Sequence, residues 1–185
     1  MAQDEQILDP KHIQRALNGL LPLSIRIMNA ELAEPTFHAQ RSAHSKEYHY
    51  AIALGDVTLP FIQPYVWHQR KKLDLSILAQ STHLFIGKHN FSAFANSQES
   101  GAAGKNPFRT SFRLDCIQTD FGIRLEFEGD GFLYKMVRNI TGMLVAVASE
   151  KRNMEEITML LLGAPRCQAA KAAPPTGLTL IKVMY

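Results

Sequence analysis

No run of about 18 consecutive apolar side chains occurs in the 185 residues, so no segment can cross a bilayer as a helix. Cysteine is scarce. Cys116 and Cys167 stand apart with no C-x-x-C pair, which excludes a disulfide framework and predicts reduced thiols. The glycine-rich phosphate loops, G-x-G-x-x-G and the Walker type, are missing, so a nucleotide-cofactor fold has no support. There is no G-x-S-x-G, and neither cysteine neighbours an evident base. Seven histidines are present, but none forms a pair at helical or zinc-finger spacing. His44 and His49 point to opposite faces of their expected strand, so no metal site is expected. The N-terminal MAQDEQILDP lacks the basic-then-apolar order of a secretory signal, and the expectation is a cytoplasmic protein without a membrane anchor.

What is present is globular. A hydrophobic fraction of 46% and a charged fraction of 20% suffice for a packed core. The length suits one domain, or one domain and part of another. A net charge of +3 allows a polyanionic partner without demanding one. The cations cluster in HQRKK, residues 68–72, with Arg109, Arg113, Lys135, Arg138 and Arg166 scattered elsewhere. Such a run is ordinarily a solvated face.

Local signals predict the elements. Asp9 and Pro10 open a helix in which Ile13, Ala16, Leu17 and Leu20 share a face, and Pro22 ends it. Alternation predicts strands over 24–32 and 44–54, the latter with Tyr48, Tyr50, Ile52 and Leu54 on one side. Residues 55–67 read as a loop. Asp74 caps a helix to about Ile86, with Gly87 as its stop. Residues 96–107 are small and polar and read as a mobile loop. Two alternating runs form a hairpin around Asp120. A central buried helix spans 132–149, a second ends at Gly163, and LTLIKVMY is a final strand with Leu178, Leu180 and Lys182 on one face. The expected class is α+β, with a mainly antiparallel sheet and helices on one face.

GDGFLYKMVRNITGML, followed at the C-terminus by APPTGLTLIKVMY, resembles the tRNA pseudouridine synthases of the A type. ALNGLLPLSIRI, FHAQRSAHSKEYHY, GKHNFSAF and FRTSF extend the resemblance, in the family's order, over nearly the whole chain. It implies a pseudouridine synthase-like fold. It implies an isomerase that turns uridine into pseudouridine at positions thirty-eight to forty of the tRNA anticodon stem-loop, without a cofactor and as a homodimer. It further divides the chain into residues 1–35, the tail of an N-terminal half, and 36–185, the C-terminal catalytic half.

The resemblance also assigns residues. Arg138 matches the basic residue that pairs with the catalytic aspartate, Tyr48 the tyrosine that stacks on the target uracil, and Leu178 the apolar wall of the pocket. An extruded base needs such an aromatic platform, and an ion pair keeps a nucleophilic carboxylate charged. Arg41, Lys46, Arg70, Lys71, Lys72 and Arg109 are candidate phosphate contacts. The family's R-T-D-x-G-V-H-A segment, which bears the nucleophile, has no counterpart here, so these 185 residues alone are expected to be inactive. Asp130 is no substitute, because an aspartate between two glycines is a turn residue. Gln40 stands where the family has arginine, and Asn90 where it has aspartate. Two other readings stand beside this one: a non-catalytic RNA-binding fragment or degenerate paralogue, and a metabolite-binding α+β module.

Overall fold

The computed structural model describes residues 9–96, 106–166 and 169–185. They fall into two compact units, Met1–Ser42 and Ala43–Tyr185.

In the first unit, helix α1 spans Pro10–Leu20, and the Asp9 carboxylate accepts from the Lys11 N–H at its start. The strand expected over 24–32 is not formed. Its backbone is held by side chains of α1 instead. Asn18 both donates to the Ile27 carbonyl and accepts from the Ile27 N–H, while Gln14 donates to the carbonyls of Ile27 and Met28. An extended segment whose polar groups are met by amide side chains has no need of a ladder.

The second unit is a six-stranded sheet with helices on one face. Its strands are β1 (Ser45–Leu54), β2 (Trp67–Gln69), β3 (Gly87–Asn90), β4 (Phe108–Thr119), β5 (Gly122–Gly129) and β6 (Leu178–Met184). The order is β2-β1-β5-β4-β3, with β6 also on β1, and among the described residues only the β1–β2 pair is parallel. The α+β class and the antiparallel sheet are as expected. β2 and β3 are not: the first begins where a segment expected to be loop ends, and the second begins at Gly87 itself. Both are short, three and four residues, and carry no alternation long enough to signal a strand.

Helix α2 (Leu75–Thr82) is capped by Asp74, which accepts from the Ser76 and Ile77 N–H groups, and it tightens into a 3-10 turn over His83–Phe85. Helix α3 (Met136–Ala148) starts four residues later than expected, because Lys135 adopts a left-handed conformation (φ 61°) and breaks the run. Helix α4 is Met154–Leu161. The expected mobile loop over 96–107 lies largely outside the described residues.

Strand alternation sorts the sheet into two faces. Tyr50 and Ile52, Ile123, Leu125 and Phe127, and Leu114 pack against α2 and α3 in one continuous core. Glu47, His49, Arg113, Asp115, Arg124 and Glu126 occupy the other face, tied together by ion pairs. The final strand departs from expectation. A register shift between Glu47 and Tyr48 leaves Leu180 opposite Tyr48 but puts Lys182 opposite Glu47, so Lys182 stands beside the charged row and not with Leu178 and Leu180.

Candidate functional site

Before α3 begins, residues 132–135 form a turn that packs back on β1. The Phe132 ring meets the Tyr48 ring edge-on, with centroids 5.2 Å apart. Between this turn, the first turn of α3 and the start of β6 lies a pocket of about 300 Å³, lined by Tyr48, Phe132, Tyr134, Lys135, Arg138 and Leu178 among others. That is at the small end of ligand sites, roughly 300–1,000 Å³. A larger cavity of about 480 Å³, walled by Leu54, Val57, Phe61 and Phe121, has Asp120 as its one charged lining residue and no cation. Volume therefore does not single out the first pocket. Its chemistry does, because it combines aromatic faces, an apolar wall and a guanidinium.

The three residues assigned to the pocket come from distant parts of the chain and meet here. Tyr48 is placed by the β1 ladder, and burial pushes its phenol above the ordinary range, so it stays a neutral ring. Leu178 opens β6 opposite Tyr50. Arg138 lies on the first turn of α3, half-buried. Its Nε–H donates to the Ala173 carbonyl at 2.7 Å, and its own carbonyl accepts from the Ala173 N–H at 2.9 Å. Among the described residues no carboxylate lies within ion-pair distance of it. The backbone of Ala173 thus takes one donor of the guanidinium, and the terminal nitrogens have no partner among the described residues.

The wall that Arg138 holds is fixed from several sides. The Tyr50 hydroxyl donates to the Pro174 carbonyl at 2.7 Å. A Cβ on Gly177 would lie 2.6 Å from the Ala51 carbonyl oxygen, and one on Gly142 would overlap the Lys171 carbonyl oxygen. Both glycines let the 171–177 segment run flush on β1 and α3. Asn139, one residue after Arg138, is 1% exposed and donates to the Phe94 carbonyl and Asn96 Oδ1 while accepting from Arg166. No sequence motif marks Asn139 or Arg166 as a positioning residue. The only sign was an asparagine in an otherwise apolar helical stretch.

The remaining cations divide. Lys46 precedes Tyr48 by two residues on the same face and stands opposite Gly129, where the chain leaves β5 for the pocket turn. Arg109 donates to the carbonyls of Asn106 and Phe108, and its side chain lies 3.6 Å from where a Gly131 Cβ would be, beside that same turn. Arg41 lies in the first unit, where its N–H closes a turn on His38. Arg70, Lys71 and Lys72 are exposed and sit away from the pocket. Residues 72–74 cover the C-terminal end of α3, with the Asp74 N–H donating to the Ala148 carbonyl at 2.8 Å. Asp130 accepts from the Thr110 N–H at 3.0 Å and does not line the pocket.

On the charged face, the tertiary structure brings Glu47, His49 and Glu126 within 4.8 Å of one another, a grouping of metal-ligand type that no sequence spacing signals. Guanidinium groups already serve these carboxylates. Arg113 bonds Glu126 at 2.6 Å and Glu47 at 2.8 Å, and Arg124 bonds Glu126 at 2.6 Å. The hydrogen bond from His49, with Arg113 beside it, holds the Glu47 carboxyl below the usual range. Burial opposes the charge of Glu126, but Arg113 and Arg124 outweigh it and hold that carboxyl low too. Both carboxyls therefore contribute stability above the unfolded value of about 4.3, and lose it as pH falls through their lower folded values. Arg113→Ala, which leaves the carboxylates facing one another, should lower stability by about 2 kcal/mol at neutral pH, allowing for partial exposure. Urea midpoints measured from pH 7 to pH 3 should converge for variant and wild type as the carboxylates protonate. A constant gap across that range would mean that the network has no share in acid sensitivity.

A family model described as tRNA pseudouridine synthase matches residues 82–185. The tRNA pseudouridine synthase A 1 of Protochlamydia amoebophila is 51% identical over 181 residues, spanning 98% of this chain and 71% of that protein. The tRNA pseudouridine synthase A of Methylacidiphilum infernorum is 38% identical over 180 residues, with coverages of 96% and 69%. That of Oceanobacillus iheyensis is 38% identical over 172 residues, with coverages of 93% and 67%. Identity at this level, over nearly all of the chain, places the protein in the tRNA pseudouridine synthase A family.

Proposed function

We propose that these residues form the base-holding part of a site that isomerises uridine to pseudouridine in the tRNA anticodon stem-loop, at positions thirty-eight to forty. The observation that carries the reading is the convergence of Tyr48, Arg138 and Leu178 on one small pocket. In it the target uridine is extruded from the stack, Tyr48 covers one face of the uracil, and Leu178 closes the pocket wall. Arg138, anchored through Nε to Ala173, turns its terminal nitrogens to the carboxylate that attacks the nucleoside. The freed uracil rotates and rejoins the sugar through carbon five. Lys46 and Arg109 at the pocket turn, Arg41, and the basic run at 70–72 take phosphates. The working form is a cytoplasmic homodimer.

Because no described carboxylate reaches Arg138, the polypeptide of residues 1–185 is proposed to bind RNA without converting it. Purified chain should yield no pseudouridine from an anticodon stem-loop, and conversion above a blank would sink that claim. Stacking on an aromatic side chain contributes about 1–3 kcal/mol per base, so Tyr48→Ala should weaken stem-loop binding about tenfold or more. Unchanged affinity would remove Tyr48 from the base pocket. That no described carboxylate reaches Arg138 also favours a second reading, a non-catalytic RNA-binding module. Sequencing the DNA upstream of Met1 separates the two, since an in-frame R-T-D segment supports the synthase.

A further inference from the structure

The basic run at 70–72 is one part of a larger cationic surface assembled at the C-terminal end of α3. Residue 69 lines a groove with Trp67, Ser149, Lys151, Arg152 and Lys171, and residue 72 lines the neighbouring hollow with Ser149 and Glu150. The stretch between them carries Arg70 and Lys71 past the same helix end. Five of these cations, Arg70, Lys71, Lys72, Lys151 and Lys171, are exposed and make no ion pair among the described residues. Arg152 is held by Glu156 at 2.6 Å. The acidic groups nearby do not cancel the patch. Asp74 caps α2 and Glu156 is shared between Arg152 and the Asn153 N–H, while Glu150, with no ion pair among the described residues, offsets one of the five cations.

The ordinary account of such a patch is that cations sit well beside the carbonyl end of a helix. That effect fades within the last turn and does not require Lys171, which arrives from the segment before β6. A site built from three separate chain segments fits a polyanion better. The Tyr48 pocket lies at the N-terminal end of the same helix. Thirteen residues at 1.5 Å each set the two ends about 20 Å apart.

We infer that this surface is a second RNA-binding site, which grips stem phosphates about 20 Å from the uridine held in the Tyr48 pocket. The inference rests on the tRNA reading above and adds to it a distance and two lysines, Lys151 and Lys171, outside the HQRKK run. Neutralising Lys71, Lys72, Lys151 and Lys171 with glutamine changes four exposed side chains and no buried contact. With about one counterion released per phosphate contact, the slope of log affinity against log salt should flatten by about 3. Lys151→Gln with Lys171→Gln should give about half of that.

The experiment is tRNA binding by the 185-residue chain over a salt series, with hydroxyl-radical footprinting of the bound RNA. The expected result is loss of stem protection in the fourfold variant with loop protection retained, and the converse in Tyr48→Ala. An unchanged slope and footprint in the fourfold variant would overturn the second site while leaving the tRNA reading intact. Joint loss of stem and loop protection would also overturn it, showing a single undivided contact. Wild-type chain that binds tRNA with no salt dependence would overturn both this inference and the function on which it rests.

Discussion

Gly142→Ala is expected to destabilise the chain by about 2–3 kcal/mol. The added methyl would overlap the Lys171 carbonyl oxygen and lie 3.1 Å from its carbon and 3.2 Å from the Ala173 nitrogen. These are backbone atoms, so no flexible side-chain end can swing aside. The segment must move as a whole, yet it is tied to α3 by both bonds between Arg138 and Ala173, and to β1 by Tyr50 through Pro174. Overpacking accounts for roughly 1–3 kcal/mol and each broken hydrogen bond for about 1. The better helix propensity of alanine returns about 1. Gly19 supplies the control. It lies in α1 with nothing within 4 Å of an added Cβ, so Gly19→Ala should be neutral or mildly stabilising. Chemical denaturation of both variants decides the matter, and a Gly142→Ala chain as stable as wild type would mean that the 171–173 segment is not clamped on α3. In functional terms the same substitution moves the wall on which Arg138 and Leu178 depend.

Asn139→Leu should be about as damaging, near 3 kcal/mol. The side chain is nearly isosteric, so little packing is lost, and the cost comes from what is left unpaired. The Phe94 carbonyl and Asn96 Oδ1 each lose a donor, and Arg166 loses an acceptor at 2.8 Å. Burial already lowers the Arg166 pKa from its ordinary value, so loss of an acceptor there falls on a cation that can spare little. Asn139→Asp provides the contrast. Its carboxylate suits Arg166 but turns an oxygen, with no donor, toward the Phe94 carbonyl and Asn96 Oδ1. It should recover only part of the stability. Equal unfolding midpoints for Asn139→Leu and wild type would show that water or a neighbour replaces the amide at no cost.

Where a signal was local, the sequence was sufficient. Asp9 with Pro10, and Asp74, mark helix starts by bonding N–H groups two or three residues away. The runs 108–119 and 122–129 form a hairpin because alternation and a short turn act over neighbouring residues. The ordered motifs, from ALNGLLPLSIRI to APPTGLTLIKVMY, carry the family by themselves. Local signals failed where pairing partners were remote. Residues 24–32 alternate like a strand but are held by Asn18 and Gln14, whereas β2 and β3 have too few residues to announce themselves and form only because β1 and β4 offer edges.

By itself, then, the sequence determined the family, the main helices and the long strands, since these rest on composition, motif order and short-range backbone preference. Only the tertiary structure decided that Tyr48, Arg138 and Leu178 share one pocket, that Ala173 anchors the guanidinium, and that a bulge turns Lys182 toward Glu47. It alone set the basic run at 70–72 beside Lys151 and Lys171, at the far end of α3 from that pocket. The physical reason is that side chains far apart along the chain acquire a fixed separation only when sheet register and helix packing are both in place.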